Sequence, residues 1–92
     1  MLEQRVLVTN RLGLHARAAA RLVRTASAFK SSVRLARADG SVTADAKSIL
    51  SVLLLAAARG TELLVTVEGK DEAAALAAVC ELFAQKFGEE QG

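Results

Sequence analysis

The chain has 92 residues, 52% of them hydrophobic and 24% charged, with 12 Lys and Arg against 10 Asp and Glu for a net charge of +2. This balance suits one compact domain over residues 1–92, with a core that needs no disulfide or structural metal, and it excludes a disordered chain. No apolar run reaches the roughly 18–20 residues of a membrane span, and the first residues lack the charged and apolar regions of a signal peptide, so a cytoplasmic location without membrane insertion is expected.

Residues 5–9 predict a strand, with Val6 and Val8 on one face and Leu7 on the other. Residues 10–13 turn the chain. Over residues 16–29 the apolar positions Ala19, Leu22, Val23, Ala26 and Phe29 follow helical spacing, while Arg17, Arg21 and Arg24 form a basic stripe on another side. Residues 32–37 alternate Val33 and Leu35 with polar side chains, Asp39-Gly40 marks a hairpin, and residues 41–44 supply the returning strand. Ser48 is placed to cap a second helix running through Ala58, with Gly60 as its stop. Residues 63–68 read as a further strand with Leu63, Val65 and Val67 on one face. Asp71 is placed as an N-cap and Glu72 suits the first turn of a last helix. That helix puts Leu76, Val79, Cys80, Phe83 and Phe87 on one face and ends at Gly88. The order β-α-β-β-α-β-α is met most economically by an α+β layer, one sheet with helices over one face. Periodicity leaves the strand order open.

His15 is the one histidine of the chain and lies between the glycine turn and the first helix, with Arg17 just beyond it. A titratable nucleophile at the positive end of a helix, beside a permanent cation, sits where a phosphoryl group is stabilised. Residue types alone leave His15 open between that role and an ordinary cap. In the second helix Ile49, Leu50, Val52, Leu53, Leu54 and Leu55 cover more than the one stripe a helix on a sheet needs. Part of that surface, near the N-terminal end, is therefore expected to be exposed for a partner. Cys80 is alone, so no internal disulfide forms, and its place on the buried face gives it a packing role. The chain has no Trp or Tyr, and its phenylalanines fall at helix-core positions, so there is no stacking platform and nucleic acid is not an expected partner. A single histidine and a single cysteine, far apart in sequence, do not make a ligand set, so neither metal nor cofactor is implied.

The stretch Gly13-Leu14-His15-Ala16-Arg17 resembles the active-site signature of the HPr family, the histidine phosphocarriers of the bacterial phosphotransferase system, with their nitrogen-branch members called NPr. Lys47-Ser48-Ile49-Leu50-Ser51-Val52 resembles the regulatory-serine segment of the same family. Ala57-Ala58-Arg59-Gly60-Thr61-Glu62-Leu63 and Glu68-Gly69-Lys70-Asp71-Glu72 also fit, so the resemblance covers essentially the whole chain. It implies an open-faced β-sandwich, a four-stranded antiparallel sheet backed by three helices. It also implies that Enzyme I, charged by phosphoenolpyruvate, phosphorylates His15 on Nδ1, with Arg17 as the active-site arginine, and that the group passes to an EIIA-type domain. Ser48 matches the serine that a dedicated kinase modifies in some members, and Ile49, Leu50 and Leu53 match the docking surface. Leu14, Arg21 and Arg24 are expected to join that surface, the arginines facing acidic partners. The expected protein is a monomeric transfer module rather than a free-standing enzyme. It would serve sugar uptake, or a nitrogen-branch regulatory relay, or act as a regulatory binding module through the Ser48 surface.

The family usually reads His-Ala-Arg-Pro-Ala, and this chain has Ala18 in place of the proline. Proline in a first helical turn is pre-organised and lacks an N–H that would be unpaired there. Alanine is an excellent helix former, so the helix should survive with one more free N–H near the phosphoryl site.

Overall fold

In the computed structural model, which describes residues 1–89, the alternating segments become strands and the helical repeats become helices. Their order is β1 (Leu2–Leu7), α1 (Ala16–Ser27), β2 (Ser32–Arg37), β3 (Thr43–Asp45), α2 (Ile49–Leu54), β4 (Glu62–Glu68) and α3 (Glu72–Ala84), followed by a 3-10 turn (Lys86–Gly88). The strands form one antiparallel sheet in the order β1-β4-β2-β3. Register places Val33 opposite Val67 and Leu35 opposite Val65, so the apolar halves of both central strands share the helix-covered face. Ser32 and Arg34 alternate onto the other face, which stays open to water. From above, α1 buries Ala18, Ala19, Leu22 and Ala26, and α3 buries Ala75, Val79 and Phe83. Both join the sheet in one hydrophobic core. This is the expected α+β architecture, a four-stranded sheet covered on one face by three helices.

Element ends depart from the sequence reading where tertiary bonds compete with local pattern. Val8 lies beyond β1, buried, and exchanges bonds with the turn before β4, donating to Thr61 O at 2.9 Å and accepting from Gly60 N at 2.7 Å. β3 begins at Thr43 rather than Ser41, because the Asp39 carboxylate holds Ser41 in the hairpin turn through its N–H and hydroxyl. α1 stops at Ser27, and Phe29 is half-buried beyond it.

The expected run of α2 through Ala58 is overturned: the helix has 6 residues and ends at Leu54. Leu55 and Ala56 tighten the last turn by bonding back to Val52 and Leu53, Ala56 turns left-handed at φ 51°, and the Ala57 carbonyl is taken by Leu14 N–H at 2.9 Å. α3 likewise ends before Gly88, since Lys86 and Phe87 adopt φ 55° and 58°. Phe87 is still buried, as its spacing predicts, but through this turn, edge-on to Phe83 with ring centroids 4.9 Å apart. Cys80 is half-exposed rather than buried, in an apolar groove between β1 and α3, and partial burial pushes its thiol up.

Asp71 precedes α3 as expected but makes no side-chain cap. Its carboxylate accepts instead from Ser31 Oγ and from the N–H groups of Lys30 and Ser31, which hold it well down, at about 2. The Glu72 carboxylate accepts from Gly69 N–H at 3.1 Å and so braces the turn that leads into the helix.

Candidate functional site

The turn before α1 is built by Asn10 and Gly13. Asn10 is 1% exposed and donates through Nδ2 to Gly13 O at 2.7 Å. Gly13 stands at φ +68°, with Ala57 and Ala58 so close that a Cβ there would meet Ala57 O at 2.6 Å. Only glycine combines that conformation with that approach. The turn delivers His15 to the N-cap of α1 in extended conformation, at φ −79° and ψ −179°.

Cap and candidate nucleophile are thus one residue. The Arg17 backbone N–H donates to His15 Nδ1 at 3.3 Å, so that nitrogen is unprotonated and its lone pair faces the helix N-terminus. In the neutral ring the proton then lies on Nε2, which is hydrogen-bonded to Glu89 Oε2. The other Glu89 oxygen accepts from Asn10 Nδ2 at 3.0 Å. Burial alone would raise the Glu89 carboxyl, but hydrogen bonds from Asn10 and His15, the charge His15 carries when protonated and the charge of Arg17 outweigh it and hold the group below the usual carboxylate value. The histidine side chain keeps 27% of its surface exposed, enough to be reached from outside.

Arg17 is exposed and lines a cleft beside the histidine with Arg11, Leu12, Arg21 and Glu89. Arg21 is not a free member of the basic stripe, because its guanidinium donates to Phe87 O and ties α1 to the C-terminal turn. Arg24 is exposed in the last turn of α1. Leu14 corrects the sequence reading: it is 5% exposed and packs in the core, so it pins the site turn to the tail of α2 and offers nothing to a partner.

Ser48 caps α2, its hydroxyl accepting from Ser51 N–H at 3.3 Å. Ile49, Leu50 and Leu53 are 44%, 65% and 36% exposed, and the apolar surface extends to Leu54 at 68%. Only Val52 within α2, and Leu55 after it, turn into the core. The two ends of α2 fix its direction against α1. Its tail bonds Leu14 before α1, whereas Lys47, just ahead of its cap, donates to Phe29 O beyond α1. The helices therefore run antiparallel, with the start of α2 turned toward the end of α1 remote from His15.

Sequence reasoning missed Glu89 and Leu12, placed Asn10 only in the turn, and counted Leu54 in the apolar excess of the second helix without assigning it to the docking surface. Asn10 carries a weak signal as an Asx residue in a turn, and Glu89 carries none, since nothing in a helical pattern announces a left-handed return. Among the described residues no group of three or more His, Cys, Asp or Glu is gathered to hold a metal ion, and no helix is long and apolar enough to cross a membrane.

Residues 2–85 match the family model PTS-HPr, described as the PTS HPr component phosphorylation site. The chain is similar to the phosphocarrier protein HPr of Xylella fastidiosa, 49% identical over 90 residues that cover 98% of this chain and 99% of that protein. It is 40% identical to the phosphocarrier protein NPr of Shewanella violacea over 88 residues, 96% of this chain and 94% of that one. The crystal structure of HPr from Thermoanaerobacter tengcongensis superimposes with a TM-score of 0.91 at 38% identity, covering 98% of this chain and 99% of that chain.

Proposed function

Since this chain belongs to the HPr family of the phosphotransferase system, we propose that it takes a phosphoryl group from phospho-Enzyme I on Nδ1 of His15 and passes it to an EIIA-type domain. The observation that carries this reading is His15 Nδ1 accepting from the Arg17 backbone N–H at the N-terminus of α1, on a ring reachable from outside, with the Arg17 charge acting on the neighbouring Glu89. A new phosphoryl group there gains free backbone N–H groups and a planar, permanently charged fork. Stabilisation of that kind is moderate, as a carrier requires, because the group must leave again. The protein acts as one monomeric domain in the cytoplasm, a transfer component without turnover of its own.

Partners dock on the exposed face of α2, where Ile49, Leu50 and Leu53 stand open to solvent and the tail that follows the helix reaches the end of α1 that carries the histidine. Arg17 and Arg24 favour acidic surfaces on those partners. A kinase acting on Ser48 would add charge at the far end of the docking face, away from the phosphoryl seat, and so weaken docking without blocking the histidine. The same chemistry serves a sugar branch or a nitrogen branch, and similarity to NPr as well as HPr keeps the second in view. Intact mass after incubation with Enzyme I and phosphoenolpyruvate is expected to show one added phosphate, absent in His15→Ala. Phosphate that persists in His15→Ala, or never appears, sinks the reading. Transfer rates to sugar-branch and nitrogen-branch acceptors then assign the branch.

A further inference from the structure

The C-terminal turn returns the chain to His15 at visible conformational expense. Lys86, Phe87 and Gly88 are left-handed in succession, at φ 55°, 58° and 73°, a conformation the first two side chains disfavour. The turn is held from both sides: Phe87 is 1% exposed against Phe83, and Arg21 donates to the Phe87 carbonyl. Its product is Glu89, with one carboxylate oxygen on His15 Nε2 and the other on the buried Asn10 amide. Asn10 in turn grips Gly13, so turn, carboxylate and imidazole form one chain of bonds. Glu89 lies beyond the last residue that the family model matches, residue 85.

We propose that Glu89 is a positioning residue for phosphotransfer, its carboxylate holding the His15 proton on Nε2 so that the neutral ring presents the Nδ1 lone pair at the N-terminus of α1. The proposal rests on the phosphocarrier reading and refines it. On transfer the Nδ1 lone pair forms the N–P bond while the bond from phosphorus to the donor breaks, its electron pair leaving with the donor. No proton leaves the ring. The phosphorylated imidazole, bonded at both nitrogens and positively charged, faces the Glu89 carboxylate. In the onward step the N–P pair returns to Nδ1, and the same Nε2–H tautomer is restored. An orienting carboxylate on the distal ring nitrogen is how histidines are commonly held in one tautomer.

The test pairs nitrogen NMR of the His15 ring with single-turnover transfer from phospho-Enzyme I, on the full chain and on Glu89→Ala and Glu89→Gln. In Glu89→Ala the Nδ1–H fraction is expected to rise and transfer to slow about tenfold, with the unfolding midpoint unchanged. Glu89→Gln, whose amide oxygen still accepts from Nε2, is expected to restore the tautomer and most of the rate. An unchanged tautomer in Glu89→Ala overturns the proposal whatever the rate does, and so does an unchanged rate. Either result leaves the carrier reading standing if the unmodified protein still takes phosphate on His15. Failure of the unmodified protein to take phosphate removes both.

Discussion

Replacing Gly13 by alanine tests how the site turn is built. The left-handed φ of +68° costs an alanine about 1–2 kcal/mol. Its Cβ would lie 2.6 Å from Ala57 O and 2.9 Å from Ala58 Cα, so two backbone segments must part, and forced expansion of that kind costs about 1–3 kcal/mol. Shifting Ala57 also weakens its 2.9 Å bond from Leu14 N–H, worth about 1 kcal/mol. The expected loss is about 3–6 kcal/mol, a large share of the roughly 5–15 kcal/mol a domain possesses. Gly40 supplies an internal control, since it has φ +77° and a Cβ added there would meet nothing within 4 Å. Gly40→Ala therefore isolates the conformational cost at about 1 kcal/mol. Urea unfolding followed by circular dichroism measures both variants, with equal slopes confirming a common unfolded state. If Gly13→Ala costs no more than Gly40→Ala, the close approach of the site turn to the tail of α2 is not what requires glycine.

Ser48→Ala is expected to lose about 1 kcal/mol of stability with the cap, whereas Ser48→Asp retains the cap and weakens partner binding on the order of tenfold; unchanged affinity in a titration leaves Ser48 as a cap alone. Ala18→Pro places a ring where the N–H precedes the first intrahelical bond of α1, Ala19 N–H to His15 O. Amides of that turn are expected to exchange with solvent more slowly, and faster exchange would mean that the fully buried position has no room for the ring. The hydrogen bonds from Ser31 and Lys30 lower the Asp71 carboxyl to about 2 from 3.8, so its contribution to stability is complete above the unfolded value and vanishes as pH falls through about 2. Unfolding free energy measured between neutral pH and pH 2 is expected to fall over that window, and Asp71→Asn to flatten the fall; an equal slope in the variant refutes the assignment.

Much of this protein is written locally. The alternation of Val33 and Leu35, the spacing of Ala19, Leu22 and Ala26, and the Asp39-Gly40 turn each pick out one conformation and one buried face from neighbours in sequence. The excess of apolar side chains in α2 likewise announces an exposed face, because a short helix on a sheet can bury only one stripe. His15 and Arg17 are legible too, since a cap and the residue two beyond it are neighbours by geometry. What the tertiary structure alone decided lies where distant segments compete for the same backbone groups. Leu14 went inward and α2 ended early because Ala57 O accepts from Leu14 N–H, a bond that no local pattern encodes. Asp71 gave up its own helix for Ser31, and Cys80 stayed at a groove that forms only once β1 and α3 meet. Glu89 reached His15 because burial of Phe87 holds a left-handed turn that helical periodicity would have continued straight. Sequence determines the elements and the candidate nucleophile, since both depend on near neighbours; packing determines which partners surround that histidine, since those contacts close loops across the whole chain.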